Sequence, residues 1–251
     1  MRIIISPAKK MRRDSDSLPV RDLPVFLSDA EKIAEILKNM SVGELKKLWK
    51  CNDQILAQNV GRLRDMDLHS GLTPAILAYE GIQYRYMAPQ VFTRDALEYV
   101  QQHLRIVSGF YGLLRPFDGV VPYRLEMQAK LWIDGAKDLY AHWGSRLAEQ
   151  LLAETDCILN LASKEYSVCI SRHLPPSVRF ITCIFAEERD GKCLEKGTLC
   201  KMARGEMVRF LAENQIRDPE AVKGFSGLGY RFDASRSDES TYVFILQEEA
   251  P

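Results

Sequence analysis

The sequence predicts an α/β fold: a single mixed α+β domain over residues 1–251, built on a central mixed sheet with hairpins. Three observations predict it. Short apolar runs of strand length, such as "RIII" at 2–5 and "CILNL" at 157–161, alternate with stretches of helical period. Two late segments read as hairpins, which adds antiparallel pairing to the sheet. No repeat, low-complexity tract or linker divides the chain, and its length suits one sizeable core.

The elements follow in order. "RIIIS" at 2–6 reads as a first strand, buried on both faces and stopped by Pro7. Ser28, with Glu31 three residues on, has the form of a capping box. Ala30, Ile33, Ala34, Leu37 and Met40 then recur at helical spacing. Ser41 and Glu44 repeat the capping signal before "LKKLWK". Asn52 caps a third helix, with Ile55, Leu56, Val60 and Leu63 inward. Thr73 and Pro74 open a short fourth helix that Gly81 ends. Thr93 opens a fifth, reaching about His103. "RIVS" at 105–108 is a short buried strand, and "YRLEMQAKL" at 123–131 alternates like another. Asp134 or Gly135 precedes one long amphipathic helix carrying Leu139, Trp143, Leu147 and Leu151. "CILNLA" is a buried strand, after which Ser163 caps a helix starting at Lys164. "VRFITCIFAEERDGKCLEKGTL" turns at Asp190-Gly191 as a hairpin. "KMARGEMVRFLAEN" is a helix, and "YRFDASRSDESTYVFIL" closes the chain as a second hairpin.

Composition sets limits on function. Basic and acidic residues balance at 34 each, so any nucleic-acid contact must come from a local basic patch. No apolar run is long enough for a membrane span or a signal peptide, which makes a cytoplasmic location the expectation. The six cysteines form no C-x-x-C pair and the four histidines are scattered. Free thiols are expected, with no zinc, other metal or cofactor. "GFSGLGY" has the glycines of a phosphate loop but lies between a helix and a hairpin, not between a strand and a helix.

Chemistry-bearing residues gather at strand ends, where ligands collect in open sheets. The first strand ends in Ser6 and Lys9. The 157–162 strand ends in Asn160, Ser163, Lys164, Glu165 and Tyr166. "RIVSGFYG" ends in Ser108, Gly109, Tyr111 and Gly112. If these ends meet, they form a polar cleft rimmed by lysines, with Ser163 at a helix N-terminus suited to phosphate. Arg124 and Glu126 fall on one face if "YRLEM" is extended. Arg124 could grip a phosphate, and Glu126 or Glu165 could act as an acid or base. Each residue also has an ordinary reading: strand end, N-cap, solvated lysine such as Lys9, Lys164 or Lys201, or structural ion pair. A further basic feature is the helix pair around Lys46, Lys47, Lys50, Arg62 and Arg64, of a kind that can seat a DNA backbone.

Taken together, the motifs resemble the YaaA family of peroxide stress resistance proteins along essentially the whole chain. The resemblance is carried by "ISPAK" at 5–9, "AYEGIQY" at 78–84, "SGFYGLLRPFD" at 108–118, "PYRLEM" at 122–127, "NLASKEY" at 160–166 and "ARGEM" at 203–207. It implies an α/β domain with a basic cleft. It implies sequence-independent DNA binding through a helix-hairpin-helix element, with no obligate protein partner and no membrane. It also implies protection from peroxide by limiting free intracellular iron. Carried over residue by residue, the motif positions are Ser6, Lys9, Ser108, Gly109, Tyr111, Gly112, Arg124, Glu126, Asn160, Ser163, Glu165, Tyr166, Lys201, Arg204 and Gly205. The chain departs from the family pattern at Lys10, Val168 and Met202. The alternative expectation is an enzyme acting on a nucleotide or another phosphate-bearing substrate in that cleft.

Overall fold

A computed structural model of the chain describes residues 1–247. Strand β1 (Arg2–Ile5) buries Ile3, Ile4 and Ile5 completely and leads to the short β2 (Lys10–Met11). Three helices follow: α1 (Leu27–Lys38), α2 (Val42–Trp49) and α3 (Asp53–Arg64). Then come β3 (Thr73–Pro74), α4 (Ala75–Ala78), β4 (Tyr79–Glu80), α5 (Ile82–Met87) and α6 (Arg94–His103). β5 (Leu104–Ser108), β6 (Gly112–Leu114) and β7 (Gly119–Val120) occupy the middle of the chain. They are followed by α7 (Leu139–Trp143), α8 (Arg146–Leu152), β8 (Cys157–Leu161) and α9 (Lys164–Ser171). The last part holds β9 (Arg179–Arg189), β10 (Lys192–Leu194), α10 (Gly197–Glu213), β11 (Tyr230–Phe232) and β12 (Thr241–Leu246).

The main sheet runs β11-β12-β9-β8-β1-β5-β6, with β10 paired to an extension of β9. Its five middle strands, from β12 to β5, are parallel. The edges β11 and β6 are antiparallel, so the sheet is mixed as expected. β1 lies between β8 and β5, with Ile5 level with Leu161 on one side and Ile106 on the other. Burial on both faces explains why these strands are unbroken apolar runs. The parallel order also brings the carboxyl ends of β1 and β8 together at one edge of the sheet.

Several local signals act as read. Ser41 and Glu44 form a complete capping box on α2, and the Asn52 side chain accepts from the Ile55 N–H to start α3. Thr93 caps α6 through the Ala96 N–H. Asp190 and Gly191 both take positive φ, as a two-residue hairpin turn requires. All six cysteines are free thiols, Cys169, Cys183 and Cys200 being buried.

Other signals were overridden. Helix α1 begins after Phe26, so Ser28 lies inside it and makes no capping box. Thr73 and Pro74 pair with Val120 and Gly119 as a strand; the short helix expected after them is present as α4 from Ala75, but it ends at Ala78, and Gly81 starts α5. The single long helix expected after Gly135 is two short ones. Asp138 caps the first, and Gly144, at φ 50°, separates them. "YRLEMQAKL" forms no strand: it is irregular, with a turn at Met127 and Gln128, and joins no sheet.

Candidate functional site

A cleft of about 490 Å³ opens at the carboxyl ends of β1 and β8. Its floor and walls come from five places: the turn after β1, β4 with α5, the segment around Arg124, the start of α9, and α10. Ser6, Lys9, Arg124, Glu126, Ser163, Glu165, Tyr166, Lys201 and Arg204 all line it. Nine residues picked from sequence therefore converge on one surface.

Two serines join the strand ends. The Ser163 N–H donates to Ser6 Oγ at 2.8 Å, and the two hydroxyls lie 3.2 Å apart. Ser163 occupies the N-cap of α9, yet its side chain makes no capping bond, because it is turned to Ser6 instead. Behind this pair, Asn160 Oδ1 accepts from the Ala162 N–H at 2.9 Å. Asn160 is buried and shapes the turn without reaching the cleft.

The charged groups are ordered around Glu126. Lys9 Nζ lies 2.7 Å from one carboxylate oxygen and an Arg124 terminal nitrogen 3.0 Å from the other. Arg124 and Glu126 are mostly buried, whereas Lys9 reaches in from solvent with 63 % of its side chain exposed. The segment is not a strand, but the direct contact between Arg124 and Glu126 shows that both side chains turn to the same side. Glu165, the second residue of α9, accepts from the Gln128 N–H at 3.3 Å. Burial raises its pKa above that of a free glutamic acid, and the neighbouring Glu126 adds to the shift.

Three buried donors in this cleft have no partner among the described residues: Arg124 Nε, Arg204 Nε and Gln83 Nε2. Among the described residues, the carboxylate within 4 Å of Arg204 is that of Glu195, at 3.9 Å, too far for a direct hydrogen bond. Unsatisfied buried donors cost folding free energy and are rare in native proteins. Three in one cleft suit a ligand rich in acceptor oxygens.

Beneath the cleft lies a buried hydroxyl network. Tyr123 OH is 2.9 Å from Tyr79 OH and 2.7 Å from Ser108 Oγ. Ser108 Oγ also accepts from the N–H groups of Phe110 and Tyr111. Burial pushes the Tyr123 phenol up to about 12 and keeps the network neutral. On the far wall, Tyr84 OH donates to the Ser6 carbonyl at 3.0 Å.

Not every sequence candidate reaches the site. Ser108, Gly109, Tyr111 and Gly112 form the β5–β6 hairpin, which is wholly buried and offers no surface to a nucleic acid. Gly109 packs against the backbone of Leu125 and Glu126, while Gly112, at φ +71°, packs against Trp143 and Phe26. This segment is thus a β-hairpin that supports the cleft from below, with no helix on either side of its turn. Lys164 is exposed and stands outside the cleft: it precedes Glu165 and Tyr166, which take the inward side of α9. Gly205 is structural. A Cβ there would lie 2.1 Å from the Gln83 carbonyl oxygen, so only glycine lets α10 meet α5.

Sequence reading of the residues missed Gln83, Tyr84 and Tyr123, which line the cleft. "AYEGIQY" at 78–84 and "PYRLEM" at 122–127 carry the resemblance, but Gln83, Tyr84 and Tyr123 were not among the residues taken from them as site candidates. The available signal was the polar Gln83 between apolar neighbours, buried with no partner of its own.

Comparison with known proteins covers the whole site. A "UPF0246 protein" of Agathobacter rectalis is 53% identical over 244 residues, covering 97% of this chain and 98% of that relative. One of Lachnoclostridium phytofermentans is 52% identical over 248 residues, covering 99% and 97%. One of Lactiplantibacillus plantarum is 51% identical over 247 residues, covering 98% and 100%. The sequence profile of the family described as "Peroxide stress protein YaaA" matches residues 1–236, a span that contains every residue of the cleft. The chain belongs to the peroxide stress protein YaaA family.

Proposed function

We propose that this chain is a DNA-binding peroxide stress protein whose cleft takes one phosphate-bearing nucleotide unit of a DNA strand or strand end. The observation that carries the reading is the pair of mostly buried arginines, Arg124 and Arg204, whose Nε donors are unpartnered in one cleft. A guanidinium fork matches phosphate oxygens in a bidentate manner. The cleft's size fits a single nucleotide or small ligand, not a duplex groove. With no net charge on the chain, affinity rests on a few local phosphate contacts. Protection of DNA from damage tied to free intracellular iron is the role that the family likeness implies.

The test is binding of a labelled single-stranded oligonucleotide across a salt series. Arg124→Ala and Arg204→Ala should each weaken binding and flatten the plot of log affinity against log salt by about 0.7 per lost contact. Lys164→Ala and Lys192→Ala, both outside the cleft, should change neither. Folded arginine variants with an unchanged salt slope would sink the reading.

A second reading, an enzyme acting on a nucleotide, is favoured by the two carboxylates. Glu126 is held by Lys9 and Arg124, while Glu165 is pushed toward its neutral form. Such a division suits a base and an acid. Chromatography of nucleotides and oligonucleotides after incubation with the protein decides between them. Appearance of a product that Glu165→Gln abolishes favours the enzyme.

A further inference from the structure

The three unpartnered donors of the cleft are not alike. Arg124 and Arg204 are charged and suit phosphate oxygens. Gln83 is neutral. Its side-chain amide carries a donor and an acceptor side by side, and a phosphodiester, which only accepts, matches half of that pair. A buried amide that merely braces a fold is paired within the protein. No group among the described residues accepts from Gln83 Nε2.

The backbone that presents this amide is clamped on two sides. Gln83 is the second residue of α5 and is 7% exposed. Its carbonyl lies so close to α10 that only a glycine, Gly205, fits opposite it. On the other side, Gly81 meets Ala8 of the turn after β1, where an added Cβ would stand 2.9 Å from the alanine methyl. Tyr84 OH fastens the helix to the same turn through the Ser6 carbonyl. Pro7, Ala8, Ile82 and Tyr84 line the cleft around this helix and give it apolar and aromatic surface there. A cleft of about 490 Å³ has room for far more than a phosphate.

The geometry points to Gln83 as the residue that reads the base of the bound nucleotide. The inference rests on the nucleotide reading of the cleft and names its ligand more closely: a nucleotide whose base is unstacked and turned inward, not a backbone held by its phosphates alone. Arg124 and Arg204 take the phosphate. The apolar surface beside α5 covers the base, and the Gln83 amide pairs with its edge. Proteins that hold a base out of the stack combine polar pairing at its edge with apolar or aromatic cover in this way. A glutamine amide matches adenine, whose edge sets an acceptor nitrogen beside an amino donor.

Affinities of deoxyadenosine monophosphate and of deoxyribose phosphate, which has the same phosphate and no base, test this by calorimetry. The wild type should bind the nucleotide about tenfold more tightly or better, the worth of two net hydrogen bonds. Gln83→Met keeps the side-chain length and removes both amide atoms. In this variant the preference should shrink severalfold, with affinity for deoxyribose phosphate unchanged. Its melting point should equal or exceed that of the wild type, because an unpaired buried donor is gone. Gln83→Leu should behave in the same way. Full preference in either folded variant overturns Gln83 as the reader of the base. Loss of folding in both variants would show an amide that braces the fold, and overturns it too. Equal binding of the two ligands by the wild type overturns the inference and leaves the phosphate reading of the cleft intact. Binding of neither ligand overturns both.

Discussion

Lys9 Nζ and Glu126 Oε2 lie 2.7 Å apart, which fastens the exposed turn after β1 to the buried segment that carries Arg124. The same carboxylate holds Arg124 through its other oxygen. Glu126 therefore occupies the two cations that an incoming phosphate would seek. Glu126→Gln keeps the shape and removes the competing charge, so oligonucleotide affinity should rise severalfold at low salt. The gain should shrink as salt screens it. Weaker binding in the folded variant would mean that the carboxylate itself contacts the ligand. Fluorescence anisotropy over a salt series provides the measurement.

Glu165 gives the cleft a pH dependence. Burial, then the charge of Glu126, raises its pKa, so it stays neutral to higher pH than a free glutamic acid. The Gln128 N–H and Lys9 oppose this shift without cancelling it. Below the raised pKa the neutral group does not repel a phosphodiester. As pH rises through it, a negative charge appears in the cleft and affinity falls. No histidine lines the cleft to mimic the effect. Affinity measured from pH 4.5 to 8 should decline with pH in the wild type and be markedly flatter in Glu165→Gln. Equal slopes in the two proteins would remove Glu165 as the cause.

The hydroxyl network below the cleft is a stability element. Tyr123→Phe removes the hydroxyl shared by Tyr79 and Ser108 and leaves a buried group short of a partner. The expected loss is about 1–3 kcal/mol. At about 2–4 °C per kcal/mol for a chain of this size, thermal melting should show it clearly. A melting point within 1 °C of the wild type would mean that the hydroxyls contribute nothing net.

Gly205→Ala should be far more damaging than its chemistry suggests. The added methyl would meet the Gln83 carbonyl at 2.1 Å and the Met87 N–H at 2.9 Å, both of them backbone. Neither can swing aside, so α5 and α10 must separate. Overpacking of this kind costs about 3 kcal/mol or more. Gly43→Ala is the control, because nothing lies within 4 Å of its new Cβ. Comparable melting points for the two variants would contradict the contact.

Where a signal in the sequence depends on neighbours in sequence, it could be read directly. Ile3 to Ile5 announce a strand buried on both faces, Ser41 with Glu44 announces a helix start, and Asp190-Gly191 announces a hairpin. Where the outcome depends on a distant partner, the local signal misled. "YRLEM" alternates like a strand, but it joins no sheet. Ser28 looks like a cap, yet α1 starts earlier because Phe26 packs edge-on against Trp143. The site shows the same division. Strand-end polarity found Ser6, Ser163 and Glu165, whereas Gln83 and Tyr84 enter the cleft only because α5 is pressed against α10 at Gly205. Lys164 and Lys201 look alike as lysines in motifs; the turn of each helix decides which one faces inward.

The central place of β1 bears on how the protein comes into being. The first strand to be synthesised pairs with strands that begin at Leu104 and Cys157. Pairings so distant in sequence form late, after the intervening chain has been closed into loops. The Ile3–Ile5 run can pair with β5 once Leu104–Ile106 is made, but its other edge stays unpaired until Leu161 is available. Only after that does the turn that bears Ser6 meet Ser163. A chain halted or cleaved before residue 157 lacks β8 and the start of α9, and so has no assembled cleft. An assembled cleft thus reports completion of the fold.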